Sequence, residues 1–211
     1  MAPNRIFFAL THLFIATIAV VAAAQPASRE LSRELLNSER IAAVFGSYGV
    51  AVLEQDDTVR VSNLFSGTGQ ERTCRTFAIV RYSDRIDPAL GTEHAAIVAG
   101  GSIGATLAAA GWQVRKTHLR YGVLTATPRL ASLMHVVAGT TLAMHVYSLD
   151  VAKDDRTLEY AALVEIHHPD YLTSDDLAEI YGPADEGARP ELVAALLATA
   201  TATAARSPSP Q

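Results

Sequence analysis

The sequence predicts an antiparallel α+β domain, with one sheet of about six strands and with helices inserted between blocks of strands. Short runs rich in β-branched and aromatic residues predict the strands, and glycine or aspartate clusters separate them. Stretches of small apolar residues at helical spacing predict the helices. Because the strands come in blocks, antiparallel pairing is favoured over parallel pairing. The chain of 211 residues is 49% hydrophobic and 18% charged, so it can bury one sizeable core.

The first half of the chain predicts one helix, three strands and two further helices. Apolar residues recur at a helical period over residues 28–45, and Gly46 ends this helix. Three strand patterns follow, separated by short turns, over residues 50–53, 59–65 and 74–82. Small apolar residues over 88–111 then predict two helices that join at the glycine cluster of residues 100–104.

The second half predicts three more strands and three helices. The strand patterns cover residues 112–127, 142–151 and 158–168. Pro128 opens a short helix that reaches Val137, because proline suits the first helical position. A hydroxyl or carboxylate between Thr173 and Asp176 caps the next helix ahead of Leu177. The alanine-rich residues 189–205 are compatible with a last helix.

The first 24 residues have the layout of a secretory signal peptide. A basic start at Arg5 precedes an apolar run, and three alanines stand directly before Gln25. We therefore expect a signal peptide at 1–24, the α+β domain at 25–182, and an alanine-rich, partly disordered tail at 183–211. The expected location is periplasmic or secreted, with only transient membrane contact. A retained membrane anchor is the alternative, since the apolar stretch approaches the length that spans a bilayer.

Charge and cysteine usage exclude some classes of function. A formal net charge of −5 and a pI near 5.8 give no basic patch for nucleic acid, so no nucleic-acid partner is expected. Cys74 is the only cysteine, so no intramolecular disulfide can form. It lies in an apolar strand pattern, which favours a buried hydrophobic role over that of a nucleophile.

The glycine-serine cluster around Ser102 lacks the spacing of a serine-hydrolase elbow.

Three segments, in order along the chain, carry a family resemblance. Residues 73–80 contain the pair Arg75 and Thr76 in a strand pattern, residues 101–107 contain a glycine turn that opens a helix, and residues 162–169 place Glu165 ahead of a proline turn. They resemble the chorismate lyase-like fold, which chorismate pyruvate-lyases share with the ligand-sensing domains of some bacterial regulators. Position 102 is serine where that family usually has proline. Residues 133–173 are also similar to the last hairpin of the regulator domains.

The resemblance implies a cavity that binds a small carboxylate. Arg75 would grip the carboxylate and Glu165 would take the place of the catalytic general acid. The turn residues would also meet the ligand, in part through free backbone N–H groups: Gly101, Ser102, Ile103 and Gly104. By strand alternation, His167 shares the face of Glu165 and is included in the predicted pocket.

Two alternatives for these side chains stay open. Arg75 and Glu165 could form a structural ion pair, or one of them could point away from the cavity. Glu165 and His167, with His168 and with His145 on the preceding strand, could bind a metal ion. The histidines show no paired zinc spacing, so the sequence predicts no metal and no cofactor.

The sequence therefore predicts an exported protein that binds a small organic or aromatic carboxylate. The first alternative is a lyase-type enzyme acting on a chorismate-like or aromatic carboxylate, with Arg75 as anchor and Glu165 as general acid. The second is a cell-envelope interaction protein without a small ligand. Chorismate is a cytoplasmic intermediate, so the export signal favours binding over chorismate lyase activity. The sequence does not identify the ligand or the oligomeric state.

Overall fold

The computed structural model describes residues 35–206. The predicted signal peptide, the start of the first predicted helix and the last five residues lie outside the described residues. Among the described residues, no helix has the length and apolar character needed to cross a bilayer.

A single six-stranded antiparallel sheet forms the centre of the described domain, with strand order β1-β2-β3-β6-β5-β4. The strands are β1 (Gly49–Gln55), β2 (Val59–Ser66), β3 (Thr73–Tyr82), β4 (Gln113–Thr125), β5 (Thr141–Lys153) and β6 (Arg156–His167). Every neighbouring pair runs antiparallel. The predicted fold class is therefore confirmed, and each predicted strand pattern lies on an observed strand.

The described residues form six α-helices: one before the first strand, three between strands and two after the last strand. They are α1 (Asn37–Phe45), α2 (Gly91–Val98), α3 (Ile103–Ala109), α4 (Pro128–Met134), α5 (Ser174–Tyr181) and α6 (Pro190–Ala205). Pro128 stands at the first position of α4, as predicted. Thr173 caps α5: its hydroxyl accepts the N–H of Asp176, and its own N–H donates to the Asp176 carboxylate.

The sheet has helices on both faces. The front face, defined by Ala78, Leu163 and Glu165, is covered by α1, α2, α3 and α5. The back face, defined by Phe77 and Ile166, packs against α4 and α6. The back core is continuous and apolar. The front core consists of two separate apolar clusters, and the polar residues described below lie between them.

The alanine-rich segment beyond residue 182 is part of the fold. Helix α6 buries Val193, Leu196 and Ala200 in the back core. The hydroxyl of Thr127 also donates to the Ala204 carbonyl at 2.6 Å. Small side chains let α6 approach α4 and the sheet closely. The alanine-rich composition of α6 is therefore explained by its packing in the back core.

Candidate functional site

A cavity lies on the front face of the sheet, between the two apolar clusters. It has an empty volume of about 600 Å³, counted with its opening to solvent. Each of the six strands contributes at least one side chain, and the start of α1 and the start of α3 close it from above. The apolar lining residues are Leu36, Val50, Leu64, Ala78, Val80, Ile103, Val114, Leu149 and Leu163. An apolar cavity with few polar groups is the usual form of a small-molecule site.

Two cationic side chains reach this cavity. Arg60 of β2 is 2% exposed, and its Nη1 donates to the carbonyls of Ile97 and Gly101 at 2.9 and 2.8 Å. Lys116 of β4 lines the opposite side, half-buried, with its Nζ 4.7 Å from the centre of the Tyr147 ring. Among the described residues, no carboxylate forms an ion pair with either cation. Burial lowers the pKa of Lys116, while the Glu165 charge acts in the opposite direction.

Glu165 is the acidic side chain in the cavity wall, and it is 4% exposed. Its Oε1 accepts a hydrogen bond from Asn37 Nδ2 at 3.0 Å. Asn37 lies at the first turn of α1 and also accepts a hydrogen bond from the Tyr171 hydroxyl at 2.5 Å. Burial raises the pKa of Tyr147 well above its usual value, and the adjacent Glu165 carboxylate adds to this effect. Tyr147 is therefore a neutral hydroxyl at the cavity wall.

A cluster of histidines borders the Glu165 side of the cavity. His145 and His167 are 0% and 1% exposed, and His145 Nε2 lies 2.8 Å from His118 Nδ1. The Tyr181 ring of α5 stacks on both His118 and His145, with ring centres 4.8 and 5.0 Å away. Burial lowers the pKa of His118 and of His167 to about 4 in each case. The cluster is uncharged at neutral pH.

Most of the residues predicted from the sequence lie at this cavity. Glu165 lines it, and so do the turn residues Ser102, Ile103 and Gly104. The Gly101 N–H is already bonded to the Ala96 carbonyl at 3.1 Å, and its own carbonyl accepts from Arg60. The Gly101 N–H is therefore not free for a ligand, and the Gly101 carbonyl holds the Arg60 cation.

The structure does not bring Arg75 to the cavity. Arg75 is the extra residue of a bulge, because Leu64 pairs with Thr76 and Phe65 pairs with Cys74. Its guanidinium lies 3.9 Å from the centre of the Phe45 ring, and its Nε donates to Ser66 Oγ at 2.8 Å. His167 also does not line the cavity, but its Nε2 lies 3.9 Å from Glu165 Oε2.

Two cavity residues were not assigned a role from the sequence. Arg60 is a charged residue in an otherwise apolar strand pattern, and Ser62 of the same strand also lines the cavity. A charged residue in an apolar strand pattern was a usable signal. Lys116 gave no signal, because β4 alternates several polar residues along its length.

Comparisons with known proteins give structural neighbours only. No protein-family model matches the chain, and no curated protein sequence matches it. One similar solved structure is a transcriptional regulator (GntR family) from Enterococcus faecalis V583, with a TM-score of 0.35, 10% identity, and coverage of 60% of this chain and 93% of that chain. Another is the C-terminal domain of Yurk from Bacillus subtilis subsp. subtilis str. 168, with a TM-score of 0.35, 15% identity, and coverage of 60% and 90%.

Proposed function

We propose that this protein binds a small organic carboxylate in the front-face cavity, with Arg60 and Lys116 as its anchors. The observation that carries the proposal is the presence of two cations in the wall of an apolar cavity, neither of them ion-paired with a carboxylate in the described part of the chain. A buried charge without a counter-charge is costly, so an anionic ligand would stabilise the folded state. A guanidinium also suits the planar, two-oxygen geometry of a carboxylate.

The shape of the cavity supports an organic rather than an inorganic anion. Leucine, valine and isoleucine supply eight of its nineteen lining residues, and they suit the hydrocarbon or aromatic part of a ligand. Tyr147, Ser62 and Ser102 supply neutral hydroxyl groups in the cavity wall. These groups match the hydroxyl or keto substituents of small aromatic and enol acids.

The test is a thermal-shift and calorimetric screen of the purified chain against chorismate, 4-hydroxybenzoate and pyruvate. A ligand that binds the folded state raises its melting temperature. We expect Lys116→Gln and Arg60→Gln to weaken binding at least tenfold. Arg115→Gln is the matched control, because Arg115 precedes Lys116 on β4 and is exposed. Arg60→Gln also leaves two carbonyls without a donor and can therefore unfold the protein. In that case the result for Lys116→Gln decides the test. Equal affinity in Lys116→Gln and Arg115→Gln would refute the proposal.

The same screen separates binding from lyase activity. Glu165 is a buried carboxyl group within the cavity, which is where a general acid would stand. Mass spectrometry of the incubated acids would detect pyruvate release or any other turnover. Turnover that Glu165→Gln abolishes while affinity persists would favour the enzyme. Binding without turnover is the outcome that we expect.

Export is a second part of the proposal, and it rests on residues 1–24 of the sequence alone. A signal peptide cleaved after Ala24 would leave a mature protein that starts at Gln25. The intact mass of the protein recovered from a bacterial periplasm checks this expectation. A full-length mass in the membrane fraction would instead favour the retained anchor.

A further inference from the structure

Three side chains of metal-binding type meet on the front face of the sheet. His145 of β5 and Glu165 of β6 are cross-strand partners, and His167 follows two residues later on the same face of β6. One donor atom from each of the three residues lies within 4.8 Å of the other two. The sequence separates His145 from the other two by about twenty residues, but the antiparallel register places them side by side.

Each of these three side chains has one buried polar atom without a hydrogen-bond partner. Within the described part of the chain, His145 Nδ1, Glu165 Oε2 and His167 Nε2 are all buried and unbonded. A buried polar atom without a hydrogen-bond partner destabilises the folded state. Folded proteins rarely leave buried polar groups unsatisfied, so three of them in one cluster call for a physical explanation.

The opposite atom of each side chain is held in place. His145 Nε2 is bonded to His118 Nδ1 at 2.8 Å, and His167 Nδ1 is bonded to the Thr76 hydroxyl at 3.1 Å. Glu165 Oε1 accepts from Asn37 Nδ2 at 3.0 Å. The tautomers in which His145 donates through Nε2 and His167 through Nδ1 leave the unbonded nitrogen of each ring with a free lone pair. Metal-binding histidines are typically oriented by an outer hydrogen bond of this kind.

An ion pair between Glu165 and His167 does not account for the cluster. Their nearest atoms are 3.9 Å apart, which is beyond hydrogen-bond distance. Burial holds the pKa of His167 at about 4 and that of His145 well below its usual value. Both rings are therefore neutral at neutral pH, which is the form of imidazole that binds metals.

We propose that His145, Glu165 and His167 bind one divalent transition-metal ion of the Zn²⁺ type. Two imidazoles and one carboxylate suit such an ion, whereas Mg²⁺ and Ca²⁺ require mainly oxygen ligands. Metal–ligand bonds of about 2.0–2.2 Å would draw the three donor atoms closer together, and small side-chain rotations supply that movement. Glu165 also lines the cavity, so the ion would lie at its wall. Metal binding at this site does not depend on the proposed binding of an organic acid in the cavity.

The experiment is a titration of the chelator-treated full chain with Co²⁺ and with Zn²⁺. Calorimetry gives the affinity and stoichiometry, and the visible absorption of Co²⁺ reports ligand type and coordination. We expect one ion per chain, a raised melting temperature, and a visible Co²⁺ spectrum. Glu165→Gln and His167→Asn should each weaken binding at least tenfold, and His94→Gln, which changes a histidine of α2 outside the cluster, should not.

Each outcome of the titration has a defined meaning. Glu165→Gln keeps the size of the side chain, and near-ultraviolet circular dichroism shows whether each variant is folded. If the wild-type chain takes up no ion, or if folded Glu165→Gln and His167→Asn bind it as tightly as His94→Gln does, the site does not exist. Lys116→Gln separates the two proposals: it should lose affinity for the organic acid and retain the metal ion.

Discussion

The Cys74 side chain is fully buried in the back core, next to Phe77 and Ile79. Burial raises the pKa of its thiol far above the usual value, so the reactive thiolate is scarce at neutral pH. We expect the folded protein to react with a thiol reagent such as Ellman's reagent at least a hundredfold more slowly than the urea-unfolded protein. A fast, stoichiometric reaction without denaturant would contradict a purely structural role for Cys74.

The position of Arg75 differs from the one predicted from strand alternation, and the reason is a bulge. Strand alternation gives each residue a face, but a bulge inserts one residue and breaks the alternation. Arg75 is that inserted residue, and its cation stacks on Phe45 instead of reaching the cavity. Arg60 lies two strands from Glu165 in the sheet, and its place in the cavity depends on strand order, which local pattern does not specify. Glu165 was predicted from its place in a resembling motif, and its side chain lines the cavity.

At the scale of elements, the sequence was a better guide. Strands such as β2 and β3 have short connections and continuous β-branched patterns, so their positions followed from local chemistry. Helix α4 followed in the same way from Pro128. The packing of α6 did not follow, because its low charge fits either an exposed tail or a helix buried by small side chains. The apolar back face of the sheet, which α6 covers, is what makes it a buried helix, and this surface exists only in the folded domain.

The grouping of the histidines also belongs to the element scale. In β4 a bulge between His118 and Arg120 makes His118 and Tyr121, three residues apart, share one face of the sheet. The same face of β5 presents His145, which pairs with Tyr121. A strict period of two would have separated His118 from Tyr121. The sequence showed scattered histidines because the bulge and the long-range register that assemble them are tertiary features.

At the scale of the whole molecule, buried histidines determine how stability depends on pH. Burial lowers the pKa of five histidines among the described residues: His94, His118, His145, His167 and His168. In the unfolded chain they titrate near the ordinary value of about 6.5. Between pH 6.5 and about 4 the unfolded state therefore binds more protons than the folded state. Stability is highest above that window and falls as the pH drops through it.

We expect the urea midpoint of the metal-free protein to decrease steadily from pH 7 to pH 4.5. Asp150 acts in the opposite direction, because burial and the neighbouring Glu159 raise its pKa, but it is one group against five. As a comparison, His118→Asn removes one of these five groups and should make the decrease shallower. A midpoint that stays constant or rises on acidification would mean that the buried histidines are already protonated in the folded state. This measurement therefore tests the protonation state of the buried histidines in the metal-free protein.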